Sequence, residues 1–206
     1  MHGHTNSNYM EDPEMKSLVY VDACIRGAES RTRRIAEPLI EKLSERYEIT
    51  RYDLNKLPLT IVQENLINER TSGQYSADSL AWAASIRDAD RIVIAAPFWD
   101  MSYPAALKNF LELCSVFDVT FKSDDKTCYG NCKAEKLLYI TTRGMNIPTG
   151  DPLEQATPHL RALSWLWGIG PMDVIAAQNF DYISQAEIDA EIEKKIQEGL
   201  ALVEAW

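Results

Sequence analysis

Three aromatic rings and a methionine lie in a segment that joins a predicted strand to a predicted helix. The segment is PFWDMSYP, residues 97–104, between the apolar run RIVIAA and a helical pattern. Turns between a strand and a helix are usually short and polar. Packing under a neighbouring loop explains one ring, whereas several rings at the end of a strand are typical of a platform for a flat, partly apolar ligand.

A second segment has the chemistry of an anion site. CIRGAESRT, residues 24–32, follows an apolar run and places the hydroxyls of Ser30 and Thr32 at the predicted start of a helix. Free backbone amides and the positive end of a helix dipole favour a phosphate there, although an ordinary N-cap also explains Ser30. The phosphate is further favoured by four arginines clustered in an otherwise acidic chain of net charge −10: Arg26, Arg31, Arg33 and Arg34.

A third segment, Thr142 to Met145, also ends a predicted strand, and Gly144 permits a close backbone approach to a ligand. One loop suited to a phosphate and two suited to a planar ring together describe FMN, in which a short linker joins the two groups.

The sequence lacks the motifs of other classes of site. It has neither the G-x-G-x-x-G fingerprint of a dinucleotide site nor the G-x-S-x-G elbow of a hydrolase. Cys128 and Cys132 lack the spacing of a zinc site, so we expect no metal.

Alternating strand and helix patterns position these loops. Apolar runs predict strands at 18–23, 91–97, 136–142 and 172–178, and residues 47–54 alternate like a strand nearer the sheet edge. Helical patterns cover 30–46, 77–88, 104–116, 153–170 and 185–203, while 55–75 is a long polar stretch. Five strand–helix units predict an α/β three-layer sandwich, with a parallel sheet in the flavodoxin-like order 2-1-3-4-5 and helices on both faces. The ligand is then expected beyond the carboxyl ends of the strands, between the first and third.

Composition limits the classes of protein. With 206 residues and 46% hydrophobic residues, one domain is expected over 16–206, preceded by a disordered extension at 1–15. The acidic charge argues against nucleic acid, and the sequence has neither an apolar run long enough for a membrane span nor a signal segment. Four cysteines do not form a disulfide framework, which favours the cytoplasm.

At these loops the sequence resembles the FMN-dependent NADH:quinone oxidoreductase and azoreductase family, which has a flavodoxin-like fold. The likeness extends from about Leu18 to the last helix, and its marks are RGAESRT, APFWDMSYPAALKNFLE followed by VTFK, and TTRGM. Cys24 stands where members commonly have a serine, Asp100 where they have an asparagine, and Met145 where they have a second glycine. The resemblance implies FMN contacts at Cys24, Ser30, Arg31, Thr32, Pro97, Phe98, Trp99, Asp100, Met101, Thr142, Arg143, Gly144 and Met145.

The resemblance also implies an activity. NADH or NADPH passes two electrons as hydride to N5 of bound FMN, and a quinone, azo compound or similar electrophile then takes them from the same face in a ping-pong sequence. No side chain is predicted to be catalytic, and His159, in a helical pattern, is interpreted as structural. A homodimer is implied by analogy. Two alternatives stay open: a flavodoxin-type carrier of single electrons, and an interaction module that has lost its cofactor.

Overall fold

The computed structural model describes residues 15–206, in which strands and helices alternate along the chain. The strands are β1 (Lys16–Asp22), β2 (Tyr47–Asp53), β3 (Arg91–Ala95), β4 (Phe121–Ser123), β5 (Cys128–Gly130), β6 (Lys136–Thr142) and β7 (Met172–Ala177). The helices are α1 (Arg31–Ser44), α2 (Glu64–Thr71), α3 (Ala77–Asp88), α4 (Ala105–Cys114), α5 (Ala156–Trp167) and α6 (Gln185–Glu204). The predicted extension, residues 1–15, lies outside the described residues except for Met15.

Five of the strands form one parallel sheet in the order β2-β1-β3-β6-β7. Strands β4 and β5 pair only with each other, as a small antiparallel hairpin. Without that hairpin the order is 2-1-3-4-5, so the predicted doubly wound topology is confirmed. In the register of the sheet, Asp22 pairs with Ala95, and Thr142 pairs with Ala177. The carboxyl ends of β1, β3, β6 and β7 therefore meet at one edge of the sheet.

Alternate residues of the central strands supply two hydrophobic cores, one on each face of the sheet. On one face, Val21, Ile94 and Tyr139 pack against α3, α4 and α5. On the other face, Tyr20 and Val93 pack with α1 and α6. Because both faces are covered, the central strands are apolar throughout, as the continuous runs in the sequence predicted.

The ends of the helices follow local capping chemistry. The Ser30 side chain accepts a hydrogen bond from the Arg33 amide at the start of α1, and Ser184 forms a capping box with Glu187 at the start of α6. Gly168 ends α5 with φ of 75°, a conformation that glycine adopts at little cost. The helical pattern predicted at 153–170 thus corresponds to a helix that ends at Gly168.

Two elements were not predicted. The polar stretch 55–75 contains α2, and the hairpin of β4 and β5 lies within 117–133. The hairpin contacts the end of α5 so closely that a Cβ atom on Gly130 would lie 1.9 Å from the Gly168 nitrogen. Within residues 15–206, no helix combines the length and the apolar character that a membrane span requires.

Candidate functional site

Hydrogen bonds join the three predicted loops at the carboxyl edge of the sheet. The Phe98 amide donates to the Thr142 carbonyl at 3.0 Å, which ties the aromatic segment to the loop after β6. The buried hydroxyls of Thr32 and Thr142 lie 2.7 Å apart and tie α1 to the same loop. These bonds run between β1, β3 and β6 loops that are distant in sequence, so the fold brings the three segments into one place.

A cleft of about 180 Å³ opens between these loops. Its walls come from four segments of the chain, and the residues that line it are Arg26, Ser30, Arg31, Pro97, Phe98, Trp99, Thr142, Arg143, Gly144, Phe180 and Asp181. The start of α1 supplies hydrogen-bond donors on one side of this cleft, and the rings of Phe98 and Trp99 lie on the β3 side. The third ring, Phe180, lies 5.5 Å from the Arg31 guanidinium. The two ends thus offer different chemistry to one elongated ligand.

The start of α1 forms the donor end of the cleft. Ser30 receives the Arg33 amide on its hydroxyl and the Arg34 amide on its carbonyl. The amides of Arg31 and Thr32 make no hydrogen bond with any other described residue. Unpaired amides at a helix start bind anions because the helix dipole adds positive potential there. This end of the cleft therefore has the donor set that a phosphate requires.

Only two of the four clustered arginines face the cleft. Arg26 and Arg31 line it, and their nearest carboxylates are 3.7 and 4.0 Å away, beyond hydrogen-bonding distance. By contrast, Arg33 pairs with the buried carboxylate of Asp22 at 2.8 Å, and Arg34 pairs with Asp189. The interpretation that all four form one anion site is therefore corrected, since Arg33 and Arg34 already have partners.

The aromatic segment is a tight turn. Trp99 and Ser102 exchange both backbone hydrogen bonds, at 3.0 and 2.8 Å, and Asp100 and Met101 between them have φ of 46° and 65°. Positive φ at both central residues is the pattern of a type I′ turn, which favours Asn, Asp and Gly. The turn separates the rings: Phe98 is buried against the cleft, while Trp99 is 43% exposed. The rings thus form a platform with one covered and one open part.

The loop after β6 is held from inside the protein. The guanidinium of Arg143 is buried, donates to the Ile147 carbonyl at 2.7 Å and to the Thr149 hydroxyl at 2.8 Å, and lies 5.5 Å from the centre of the Phe98 ring. Glu154, also buried, lies 3.9 Å from it. This arginine stabilises the loop, so its guanidinium is already engaged within the protein.

The structure brings most of the predicted site residues together. Eight of them line the cleft, namely Ser30, Arg31, Pro97, Phe98, Trp99, Thr142, Arg143 and Gly144. The other five lie behind or beside it and are absent from its lining: Cys24, Thr32, Asp100, Met101 and Met145. For these five, a direct role in cofactor binding stays a prediction.

Cys24 is the clearest case of a predicted residue behind the cleft. Its thiol is fully buried and lies 3.6 Å from the Ala95 carbonyl. Burial, with a further contribution from the Asp22 carboxylate, raises the pKa of Cys24 to about 12. The thiol therefore stays protonated at neutral pH.

Sequence reasoning missed Phe180 and Asp181, which form a fourth wall of the cleft after β7. The Phe180 amide donates to the Arg143 carbonyl and the Asp181 amide to the Gly144 carbonyl, at 3.2 and 2.9 Å. No motif marked these residues. The available signal was the rule that loops after neighbouring parallel strands meet, applied to the fifth strand as well.

A second cavity adjoins the cleft, and Trp99 lines both. In this cavity the Tyr103 hydroxyl and His159 Nδ1 lie 2.5 Å apart, which connects α5 to the segment before α4. Burial, and secondarily the charge of Lys108, lower the pKa of His159 below its ordinary value of 6.5. His159 therefore favours its neutral form in the folded protein.

The pKa of His159 leads to a prediction about acid stability. Because the folded pKa lies below the unfolded value of about 6.5, the unfolded chain binds more protons, and the free energy of unfolding falls as the pH drops below that value. We expect this decrease to be smaller in the variant His159→Gln. Urea unfolding of both proteins at pH 7.5 and 5.5 measures it, and equal decreases would contradict the assignment.

A doubly wound sheet with a cleft at the carboxyl ends of its first and third strands defines a protein of the flavodoxin-like class. The chain belongs to the flavodoxin-like fold family, whose sequence model matches residues 16–200.

Similar proteins narrow the class. The chain is 28% identical over 194 residues to an FMN-dependent NADH:quinone oxidoreductase of Clostridium perfringens, which covers 90% of this chain and 95% of that protein. It is 29% identical over 180 residues to an FMN-dependent NADH:quinone oxidoreductase 2 of Clostridium acetobutylicum, with 83% and 90% covered. The resemblance predicted from the sequence motifs is thus confirmed.

Solved structures agree on the fold. An azoreductase from Bacillus anthracis superposes with a TM-score of 0.80 at 17% identity, over 93% of this chain and all of that one. An FMN-dependent NADH-azoreductase from the same species, solved in complex with FMN, superposes with a TM-score of 0.77 at 16% identity, over 92% and 99% of the two chains. At these identities the likeness concerns the fold alone.

Proposed function

We propose that this protein is an FMN-dependent NAD(P)H oxidoreductase that passes two electrons to quinones, azo compounds or similar electrophiles. The observation that carries the proposal is the meeting of a donor-rich helix start, an aromatic turn and a glycine-containing loop in one cleft. The relatives named as FMN-dependent NADH:quinone oxidoreductases support the choice of cofactor and reductant.

The residues present fit FMN. The unpaired amides of Arg31 and Thr32 are suited to its phosphate, with the guanidinium groups of Arg26 and Arg31 beside them. The rings of Phe98 and Trp99 are suited to a planar heterocycle. In the loop after β6, the Gly144 amide makes no hydrogen bond with any other described residue and is suited to the polar edge of the ring. The predicted contacts at Cys24, Thr32, Asp100, Met101 and Met145 remain part of this proposal.

When bound, FMN supplies the centre that accepts and donates hydride, which no side chain can provide. The contribution of the protein is to position the reactants. The Arg143 guanidinium keeps the loop after β6 in place through the Ile147 carbonyl, and the partly exposed Trp99 leaves one side of the cleft open. An open side admits NAD(P)H first and the oxidising substrate afterwards, as ping-pong kinetics requires.

The test is anaerobic reduction of the reconstituted protein. We expect the purified chain to bind FMN one to one, and NADH or NADPH to bleach the visible absorbance of the bound flavin in one two-electron step. A stoichiometric quinone should then restore the absorbance. Binding of FMN without bleaching by either nicotinamide would indicate a carrier of single electrons, and failure to bind FMN would indicate a protein without this cofactor.

Assembly and location are further parts of the proposal. We propose a homodimer, to be measured by light scattering coupled to size-exclusion chromatography, with a monomer as the contradicting outcome. We also propose a cytoplasmic location, which is supported by the cysteines: all four fall within the described residues and are free thiols. Free thiols persist in a reducing compartment.

A further inference from the structure

The wall formed by Phe180 and Asp181 places a carboxylate inside a cleft that is otherwise suited to an anion. Backbone hydrogen bonds fix this wall, since the amides of Asn179, Phe180 and Asp181 donate to three successive carbonyls, those of Met145, Arg143 and Gly144. The segment is thus held along residues 143–145 of the loop after β6. Asp181 is the one acidic residue among those that line the cleft.

The carboxylate of Asp181 lies between the two ends of the cleft. Its Oδ1 is 4.0 Å from Nη1 of Arg31, at the donor end. Its Oδ2 rests against Gly144, where a Cβ atom would come within 1.9 Å of it, at the ring end. The absence of a side chain on Gly144 therefore makes room for this carboxylate. With 61% of its side chain exposed, Asp181 is accessible to a ligand.

A carboxylate at this position selects for one kind of group. An ionised carboxylate only accepts hydrogen bonds, and it repels a phosphate. Arg26, Arg31 and the free amides at the start of α1 attract the phosphate to the far end. Between a phosphate at that end and a ring on the Phe98 platform, FMN has a polyhydroxylated chain, whose hydroxyl groups are donors.

We propose that Asp181 recognises the ribityl chain of the flavin by accepting hydrogen bonds from its hydroxyl groups. This inference rests on the proposed function, because it assumes that the cleft binds FMN. It makes Asp181 a determinant of ligand specificity: the site discriminates between flavins by their polyol chain as well as by their phosphate.

Three flavins separate the groups that Asp181 could contact. Riboflavin has the ring and the polyol chain, lumiflavin has the ring alone, and FMN has the ring, the polyol chain and the phosphate. We expect Asp181→Ala to lower riboflavin affinity about tenfold, the usual effect of losing a hydrogen bond to a charged group. Asp181→Asn keeps a neutral hydrogen-bond acceptor and should lower riboflavin affinity less than Asp181→Ala does. Lumiflavin affinity should stay unchanged in both variants. Quenching of flavin fluorescence measures all three ligands.

A matched control is Asp125→Ala, which removes the same charge from the exposed turn between β4 and β5. It should leave all three affinities unchanged. The proposal is overturned by any of three results in Asp181→Ala: riboflavin affinity equal to the wild type, tighter riboflavin binding, or an equal loss for lumiflavin. Wild-type protein that binds riboflavin no more tightly than lumiflavin overturns it too, because the polyol chain then contributes nothing detectable.

The FMN titration separates this inference from the function beneath it. If wild-type protein binds FMN and the riboflavin pattern is absent, only the role of Asp181 is wrong. If wild-type protein binds no FMN, the proposed function fails, and the inference fails with it. Circular dichroism of each variant confirms that it is folded, as expected for an exposed side chain whose amide still donates to the Gly144 carbonyl.

Discussion

Replacing Ser30 by Asp is expected to reduce FMN affinity by roughly 100- to 1000-fold while leaving riboflavin affinity nearly unchanged. Ser30 lies at the N-cap of α1, where the phosphate is proposed to bind. Two unit charges 4 Å apart interact by about 4 kcal/mol near a protein surface, and a phosphate carries more than one. Riboflavin, which lacks the phosphate, does not experience this repulsion.

The substitution keeps the fold intact because Asp is as good an N-cap as Ser. Its carboxylate can accept the Arg33 amide that the Ser30 hydroxyl now accepts at 3.3 Å. The matched control is Ser76→Asp at the N-cap of α3, whose side chain accepts the Ser79 amide in the same way. Fluorescence titration of both variants with FMN and riboflavin measures the effect. Wild-type FMN affinity in Ser30→Asp would show that the phosphate binds elsewhere.

The second large effect concerns the ion pairs behind the cleft. Asp22 ends β1 with a fully buried carboxylate, which forms an ion pair with Arg33 at 2.8 Å and accepts hydrogen bonds from Arg51 at 2.6 Å and from the Cys24 amide at 3.1 Å. Replacing Asp22 by Ala leaves two guanidinium groups and an amide without that partner. We expect the free energy of unfolding to fall by about 3 kcal/mol, the lower end of the range for breaking a buried pair.

The Arg34–Asp189 pair provides the control, because it has the same 2.8 Å distance but side chains that are 42% and 48% exposed. In water the charges are screened and ordering the side chains has a cost, so Asp189→Ala should lower the free energy of unfolding by less than about 1 kcal/mol. Urea unfolding of both variants gives the comparison. Equal losses would mean that burial does not set the strength of these pairs.

Much of the fold could be read from local patterns. The run KLLYITT predicted β6 at its observed bounds because a doubly covered strand must be apolar on both sides. Alternation of strands with helices then implied a parallel sheet covered on both faces, since crossovers between parallel strands are right-handed and each places a helix over the sheet. The hairpin of β4 and β5 escaped prediction, because its strands have only three residues each and pair with no other strand.

The candidate site could likewise be predicted only in part from the sequence. Its donor end and aromatic turn were identifiable from Ser30 and Trp99, because helix starts and loop aromatics have a chemistry that residue types reveal. The pairing of the arginines was not, because it depends on which carboxylates the fold brings near each one. Asp22 is eleven positions before Arg33 in the sequence, yet its carboxylate forms an ion pair with the Arg33 guanidinium. The sequence alone assigned that guanidinium to the phosphate.

The sequence by itself determined the layers, the strand order and three of the four loops around the cleft, because these follow from periodicity and residue type within short segments. Only the tertiary structure decided that Phe180 and Asp181 complete the cleft and that Cys24 lies behind it. Both outcomes depend on contacts between segments far apart in the chain, such as the bond from the Asp181 amide to the Gly144 carbonyl. No local pattern encodes such a contact.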